Sequence, residues 1–398
     1  MIKNNFRNSL FILALGFTFS SFNVFAQSES EEEILDVVTV TGGRDAVRKL
    51  GGAASYLGED EIIQLDDTDL NDVLSRIPGI YIRQEDGYGL RPNIGIRGAA
   101  AERSQKLSVM EDGILITPSP YSAPAAYYLP NVNRMDAIEI IKGPSSIKYG
   151  PHSVGGAINL VSFASPDQAE GLIEASIGSD SYKKFRGYFG DKRGNLGYGV
   201  DVFHYGADGF KDLDGGGNTG FSKNDINLVM DWSIGSTENL SHRFRVKMGY
   251  ADEVSNETYL GLTDDDFNLS PNRRYVSSQL DRFESEHTQV HIIYSMKHSS
   301  GLELATKAYI NKFERDWNKF DGLINGPSVK LVLSRPEIFD TELALIRGEI
   351  DSDIAGGQLI DITNNSREYG SQAIDISAYY DMKIGLLEHN FEAGLRYH

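Results

Sequence analysis

The chain has 398 residues, of which 38 are Lys or Arg and 57 are Asp or Glu, giving a formal net charge of −19. Such an acidic surface repels phosphate backbones, which excludes a general nucleic-acid binder. The sequence contains no cysteine, so disulfide frameworks, thiolate zinc sites and cysteine nucleophiles are excluded as well.

Residues 1–26 have the pattern of a secretory signal peptide. Lys3 and Arg7 precede an apolar stretch over residues 10–19, and the small residue Ala26 marks a cleavage position. A short membrane anchor is the alternative, but ten helical residues rise only about 15 Å against a hydrocarbon core of about 30 Å. We therefore expect export, with cleavage after Ala26.

Residues 27–44 begin as an acidic, flexible tail and contain a run of β-branched residues. This run, at 37–41, predicts a short strand. A strand that follows a flexible tail has an open edge, and a partner protein can pair with that edge by strand addition. The alternative is pairing within its own domain, and the residues favour neither.

Residues 45–165 mix short helical and strand patterns. A helix is predicted over residues 69–74, with Asp67 or Thr68 as its N-cap. Short strands are predicted at 80–82, 93–98, 107–110, 113–116, 138–141 and 155–161. About 120 residues of this kind are enough for a compact α+β domain with its own core.

From residue 166 onward, segments of roughly 6 to 12 residues alternate between apolar and polar positions. We count nine such segments, which are predicted strands at 172–177, 182–189, 198–205, 226–234, 244–250, 290–296, 302–313, 374–382 and 387–397. Short turns alternate with long charged connections at 251–286 and 314–371. This pattern is typical of an outer-membrane β-barrel, and a soluble all-β protein is the alternative.

Nine strands are too few to close a wide barrel. A plugged barrel of 22 strands needs on the order of 500 residues, whereas residues 166–398 provide 233. The sequence thus predicts an N-terminal α+β plug domain and the N-terminal portion of an all-β transmembrane β-barrel, about nine strands of an expected 22. We expect 166–398 to be a truncated barrel, and the chain to be a fragment or a truncated gene product.

Several motifs in a fixed order resemble those of TonB-dependent outer-membrane receptors. They lie at 71–74, 77–80, 94–98, 110–114, 138–144 and 149–159. The resemblance covers residues 36–165 closely and the remainder loosely. It implies a plug inside a barrel and energy delivered by the protein TonB, with no enzymatic activity and no cofactor. It also implies that the segment similar to the TonB box binds TonB through Asp36, Val37, Val38, Thr39, Val40 and Thr41.

Within that family the sequence looks most like the ferric dicitrate receptors, which take up an iron siderophore. The resemblance places ligand-binding side chains at Arg97, Arg315 and Arg367, and guanidinium groups suit citrate carboxylates. A Thr and a Gln of the family's plug correspond here to Tyr88 and Ala123. The alternatives are a structural ion pair for Arg97 and solvated loop positions for the other two arginines.

These expectations describe a transporter in the outer membrane of a Gram-negative bacterium, for ferric dicitrate or a similar anionic siderophore. Its partners would be TonB with the inner-membrane energising complex, the ferric chelate and outer-membrane lipid, and not nucleic acid. The alternatives are a binding or adhesion barrel that does not transport, and a receptor for another metal chelate or a vitamin. The histidines show no metal-ligand spacing, so we expect no resident metal.

Overall fold

The computed structural model describes residues 38–47, 52–65, 69–235, 237, 239–256, 258–385 and 387–398. The expected signal peptide, most of the acidic tail, and Asp36 and Val37 lie outside these residues. Within the described part of the chain, no helix combines the length and the hydrophobicity needed to cross a membrane.

The first part of the chain forms a small α+β domain around a five-stranded sheet. Its helices and strands in chain order are α1 (Arg44–Val47), β1 (Ala53–Gly58), α2 (Glu59–Leu65), α3 (Leu70–Ser75), β2 (Ile80–Ile82), β3 (Ile94–Ile96), β4 (Leu107–Glu111), β5 (Ile114–Leu115), β6 (Met135–Lys142) and β7 (Gly156–Ser162). The strand order is β1-β6-β7-β4-β5, and β2 and β3 form a separate hairpin. The predicted α+β domain is confirmed, with β1 and α2 as elements that the sequence patterns did not indicate.

The N-cap of α3 differs from the prediction. Asp69 is the residue directly before the helix, and its side chain accepts a hydrogen bond from the backbone N–H of Asn71 at 2.7 Å. This bond satisfies one of the free N–H groups at the helix start. Asp67 and Thr68, which were the predicted caps, lie outside the described residues.

The second part of the chain forms one large antiparallel sheet. Its strands are β8 (Glu170–Ile177), β9 (Lys183–Arg193), β10 (Leu196–Ala207), β12 (Phe221–Ser233), β13 (Leu240–Ser255), β15 (Arg282–His298), β16 (Leu302–Leu323), β18 (Arg367–Ile384) and β19 (Leu387–Tyr397), with the short β17 (Ile360–Asn364) beside β16. Each strand pairs with its neighbour in sequence, as in an up-and-down barrel. The nine predicted strands are confirmed.

The connections of the large sheet differ in length at its two ends. At one end, called here the near end, the strands are joined by short turns, such as 194–195 and 299–301. At the far end the connections 208–220, 256–281 and 324–359 are long. They carry β11 (Asp212–Leu213), α4 (Asp264–Leu269), β14 (Arg273–Arg274), α5 (Val329–Ser334) and α6 (Asp340–Arg347).

The strands continue further toward the far end than predicted. Residues 314–323 belong to β16 and residues 367–371 to β18, so the expected loop over 314–371 is wrong at both ends. The two faces of β16 explain the error. Its outward residues are largely apolar up to Ile310 and then charged, whereas its inward residues remain buried through Trp317. In the sequence, these charged outward residues resemble a loop, so the strand was not predicted beyond residue 313.

The three long connections pack together into one unit, called here the loop cap (208–220, 256–281 and 324–359). β11 pairs with β14 in a short parallel ladder. Asp266 binds Arg273 at 2.9 Å and Arg347 at 2.5 Å, and so joins two of the three connections. Apolar side chains fill the space around these ion pairs, namely Tyr275, Val332, Leu343, Leu345 and Ile346.

A buried charge network fastens the small domain to the inner face of the large sheet. Glu111 of β4 accepts hydrogen bonds from Arg134 and from Lys247 of β13. Lys247 also binds Asp112 at 2.8 Å, and Arg134 reaches Asp225 of β12 at 3.4 Å. The positive charges of Arg134 and Lys247 outweigh burial and lower the pKa of Glu111. Loss of one partner from such a network costs about 3–5 kcal/mol.

Candidate ligand site

Two of the three predicted ligand-binding arginines lie opposite each other on neighbouring strands. Arg315 of β16 and Arg367, the first residue of β18, are direct cross-strand partners. They therefore occupy strand positions, where the loop alternative had placed them in solvated connections. Like charges directly opposite each other destabilise an antiparallel pair, so this position demands a compensating group.

Arg315 is almost completely buried, with 3% of its surface exposed. Its Nε and Nη1 have no hydrogen-bond partner among the described residues. The guanidinium stacks over the ring of Tyr127 at 4.2 Å and lies 5.4 Å from the ring of Trp317. A buried cation with unpaired donors is costly, and an anion bound between Arg315 and Arg367 would supply the missing acceptors.

Arg367 is exposed and its contacts are neutral. Its Nε donates to Asn365 Oδ1 at 2.7 Å and its Nη1 to the Tyr369 hydroxyl at 3.3 Å. Neither contact neutralises the guanidinium charge. In the described part of the chain, therefore, no carboxylate compensates the positive charge of Arg315 or of Arg367.

A third arginine reaches the same aromatic side chains from the small domain. Arg103 lies 5.4 Å from the ring of Trp317 and 5.8 Å from that of Tyr127. Its two terminal nitrogens donate to the two carboxylate oxygens of Glu85, at 2.6 and 2.8 Å. Burial acts to raise the pKa of Glu85, but the charge of Arg103 overrides it and holds this pKa below its usual range. We call Arg103, Arg315, Arg367, Tyr127 and Trp317 the arginine–aromatic site.

Sequence reasoning missed Arg103 and Glu85. The two residues are 18 positions apart, and the β2–β3 hairpin together with a backbone φ of +49° at Arg103 brings them together. No spacing rule relates a carboxylate and a guanidinium across such a turn. In the sequence, only the short stretch that contains Arg315 and Trp317 hints at the site.

Arg97, the remaining predicted ligand residue, makes contacts with other parts of the small domain. Its backbone N–H donates to the carbonyl of Gly79 at 3.0 Å, and its Nη1 lies 3.4 Å from the carbonyl of Lys142. Its side chain is exposed. It shares none of these contacts with Arg315 or Arg367, and its role in ligand binding stays a prediction.

The segment similar to the TonB box does not form the predicted strand in its described part, Val38 to Thr41. Side chains of the small domain satisfy its backbone instead. Glu139 accepts from the N–H groups of Val40 at 2.7 Å and Thr41 at 3.1 Å, and Asn159 donates to the carbonyl of Val38 at 2.9 Å. With both carboxylate oxygens and an amide available, this backbone is satisfied without pairing to another strand.

A cavity of about 850 Å³ separates this segment from strands β15, β16, β18 and β19. Two ion pairs lie in its walls: Lys148 binds Glu392 at 2.9 Å, and Arg396 binds Asp375 at 2.6 Å. Lys307 also lines the cavity and donates to the backbone carbonyl of Asp112 at 3.2 Å. A ligand would find no uncompensated charge in these pairs, in contrast to Arg315. Across the described residues, no group of three or more acidic or histidine side chains is arranged to hold a metal ion.

Comparison with known proteins gives a consistent result. The family model described as the TonB-dependent receptor plug domain matches residues 46–157. The vitamin B12 transporter BtuB of Photobacterium profundum is 24% identical over 313 residues, which cover 75% of this chain and 50% of that protein.

Solved structures show the same fold. The ferric citrate transporter FecA in its unliganded form superposes with a TM-score of 0.66 at 21% identity, over 89% of this chain and 48% of that one. The ferric-catecholate import receptor Fiu from E. coli K12 superposes with a TM-score of 0.61 at 14% identity, over 87% and 49%. The chain therefore spans about half the length of the relatives it matches.

These relatives are receptors and transporters rather than enzymes, in agreement with the expectation that the chain has no catalytic activity. The likeness to FecA establishes the fold and not the ligand, so the subfamily expected from the sequence is not established. Residues 46–157 thus match the TonB-dependent receptor plug domain, and the small domain together with the large sheet has the fold of part of the solved receptors on which it superposes.

Proposed function

We propose that the protein is an outer-membrane receptor for an anionic ferric chelate, ferric dicitrate or a related carboxylate siderophore. The chelate binds at the arginine–aromatic site below the loop cap. The observation that carries this proposal is Arg315, a buried guanidinium with two unpaired nitrogens directly opposite Arg367. Two such groups are suited to bidentate recognition of carboxylates.

The relatives transport different ligands. The charge of the arginine–aromatic site indicates which of these kinds of ligand suits this chain better. BtuB is a transporter of vitamin B12 and FecA of ferric citrate. Uncompensated arginines favour a carboxylate-rich anion over a corrin ring whose rim carries mainly neutral amides. The anionic chelate is therefore the better candidate for this chain.

Transport requires a connection to an energy source, and residues 36–41 supply it in this proposal. Val38 to Thr41 are held by side-chain contacts from Glu139 and Asn159 rather than by a strand ladder. Their β-branched side chains suit pairing with an added strand once these contacts open. TonB would bind this segment and pull on the plug from the periplasm, at the near end of the sheet.

The test measures ferric dicitrate binding to the protein in detergent by calorimetry. We expect Arg315→Ala and Arg367→Ala each to weaken binding at least tenfold, about 1.4 kcal/mol. The matched control is Arg282→Ala, since Arg282 is exposed at the start of β15 and paired with Glu284. Binding that is equal in all variants contradicts the proposed site, and no binding by the unaltered protein contradicts the ligand class.

A second measurement separates transport from passive binding or adhesion. Deletion of residues 36–41 should abolish uptake of radioactive iron by cells that depend on this receptor, while calorimetric binding stays unchanged. Absence of uptake by cells with the unaltered protein favours the non-transporting alternative, and uptake that survives the deletion contradicts the proposed role of residues 36–41. Cleavage after Ala26 stays a prediction, which mass spectrometry of the purified protein can test.

A further inference from the structure

We propose that Glu85 sets the charge of the ligand, because it neutralises Arg103 and leaves the arginine–aromatic site with two positive charges instead of three. The site would then select chelates that present two negative charges to it over chelates that present three. This inference rests on the proposed function, since it assumes that the chelate binds at Arg315 and Arg367.

The pairing of Glu85 with Arg103 is complete on both sides. Each carboxylate oxygen of Glu85 accepts a hydrogen bond from one terminal nitrogen of Arg103, and Asn93 Nδ2 donates a further hydrogen bond to Glu85 Oε2 at 2.5 Å. The side chains of Arg103 and Glu85 are 13% and 17% exposed, so water screens the pair only weakly. Arg103 is therefore held as a neutral unit with Glu85 at the plug side of the site.

The other charges around the rings do not alter this balance. Lys319, 5.7 Å from the ring of Trp317, pairs with Asp321 at 3.2 Å. Asp281 accepts the backbone N–H groups of Phe320 at 2.6 Å and Tyr259 at 3.3 Å, and among the described residues it forms no ion pair with Arg315 or Arg367. Arg315 and Arg367 are then the two cations among these groups that lack an acidic partner.

Removal of the Glu85 charge would release the third cation. In Glu85→Gln the amide keeps the shape of the side chain, but Arg103 gains a full uncompensated charge beside Tyr127 and Trp317. A unit charge about 8 Å from the ligand, at an effective dielectric constant near 20, changes affinity by on the order of tenfold per ligand charge. The preference should shift toward the more negative ligand.

The experiment compares two probes: the ferric complex of citrate, and the ferric complex of a citrate monoamide with one carboxylate fewer on each ligand. Affinities for both are measured by calorimetry on the unaltered protein and on Glu85→Gln. We expect the affinity ratio, citrate complex over monoamide complex, to rise about hundredfold in the variant, about tenfold for each of the two charges by which the dicitrate complexes differ. The matched control, Glu102→Gln, removes an exposed charge next to Arg103 in sequence and should leave the ratio unchanged.

The double variant Glu85→Gln with Arg103→Gln guards against a folding defect. It removes both charges of the pair, so the ratio should return to that of the unaltered protein. An unchanged ratio in Glu85→Gln, with binding that still depends on Arg315, overturns the role of Glu85 and leaves the proposed function standing. Failure of the unaltered protein to bind either probe contradicts the proposed function itself.

Discussion

At the scale of single residues, Asp136 couples the stability of the plug to pH. It lies on β6, and its carboxylate accepts the backbone N–H of Ala164 at 3.1 Å, close to the point where the plug leads into the barrel sheet. Burial, with a smaller contribution from the charge of Glu59, raises the pKa of Asp136 to about 7. The folded protein thus binds this proton more tightly than the unfolded chain does.

The sign of the resulting pH dependence follows from linkage. Stability falls as pH rises from about 4, the ordinary value for an aspartate, and the loss is complete above pH 7. Asp136→Asn removes the titrating group, so its unfolding temperature in detergent should exceed that of the unaltered protein by more at pH 8 than at pH 5. Asp60→Asn, on the exposed surface of α2, is the control. An equal difference at both pH values contradicts this assignment.

The ligand site shows what could be predicted from sequence at this scale. The family resemblance indicated Arg315 and Arg367, because charged residues at motif positions are visible in one dimension. Glu85 and Arg103 were not predictable, because their contact depends on a hairpin and on a left-handed backbone conformation at Arg103. The orphaned nitrogens of Arg315 are likewise a property of packing and not of residue type.

At the scale of elements, the run of β-branched residues at 37–41 gave a wrong strand prediction for its described part. Intrinsic preference was outweighed by Glu139 and Asn159, which are about 100 or more positions away in sequence. Conversely, the strand of β16 beyond residue 313 was missed because its outward residues, Glu314 and Asp316, have the composition of a loop. In both cases, contacts with distant elements decided the local structure.

The loop cap behaves as a single element because Asp266 joins its parts. Asp266→Asn should loosen the cap, since Arg273 and Arg347 both lose the carboxylate that joins them and keep only Asp214 at 2.9 Å and Glu349 at 3.7 Å, respectively. We expect trypsin to cut after the exposed residue Lys330 at least about tenfold faster, through more frequent local opening.

Asp265→Asn serves as the control for this experiment. Asp265 lies in the same helix, α4, but its side chain is exposed, whereas Asp266 is buried. Cleavage that accelerates equally in both variants would mean that helix α4, and not the ion pairs of Asp266, determines how tightly the cap is held.

At the scale of the whole molecule, the outward face of the sheet is where lipid would contact the protein in the proposed outer-membrane receptor. Ile292 of β15 faces outward with 45% of its surface exposed. Ile292→Arg should lower the free energy of unfolding in phospholipid vesicles by about 2–4 kcal/mol. Thr288→Arg is on the same strand and face but nearer the far end, and should cost about 0–1 kcal/mol. Equal costs in denaturant titrations would contradict this position of the lipid boundary.

The change from apolar to charged outward residues on β16 has a consequence for where the chelate is recognised. Arg315 lies five positions beyond Ile310, the last apolar outward residue before the charged stretch. Five residues extend about 16 Å along a strand, or about 12 Å above the hydrocarbon after a tilt of 35–45°. In the proposed receptor, the iron chelate would therefore be captured in the aqueous layer outside the cell and would not need to enter the hydrocarbon of the membrane.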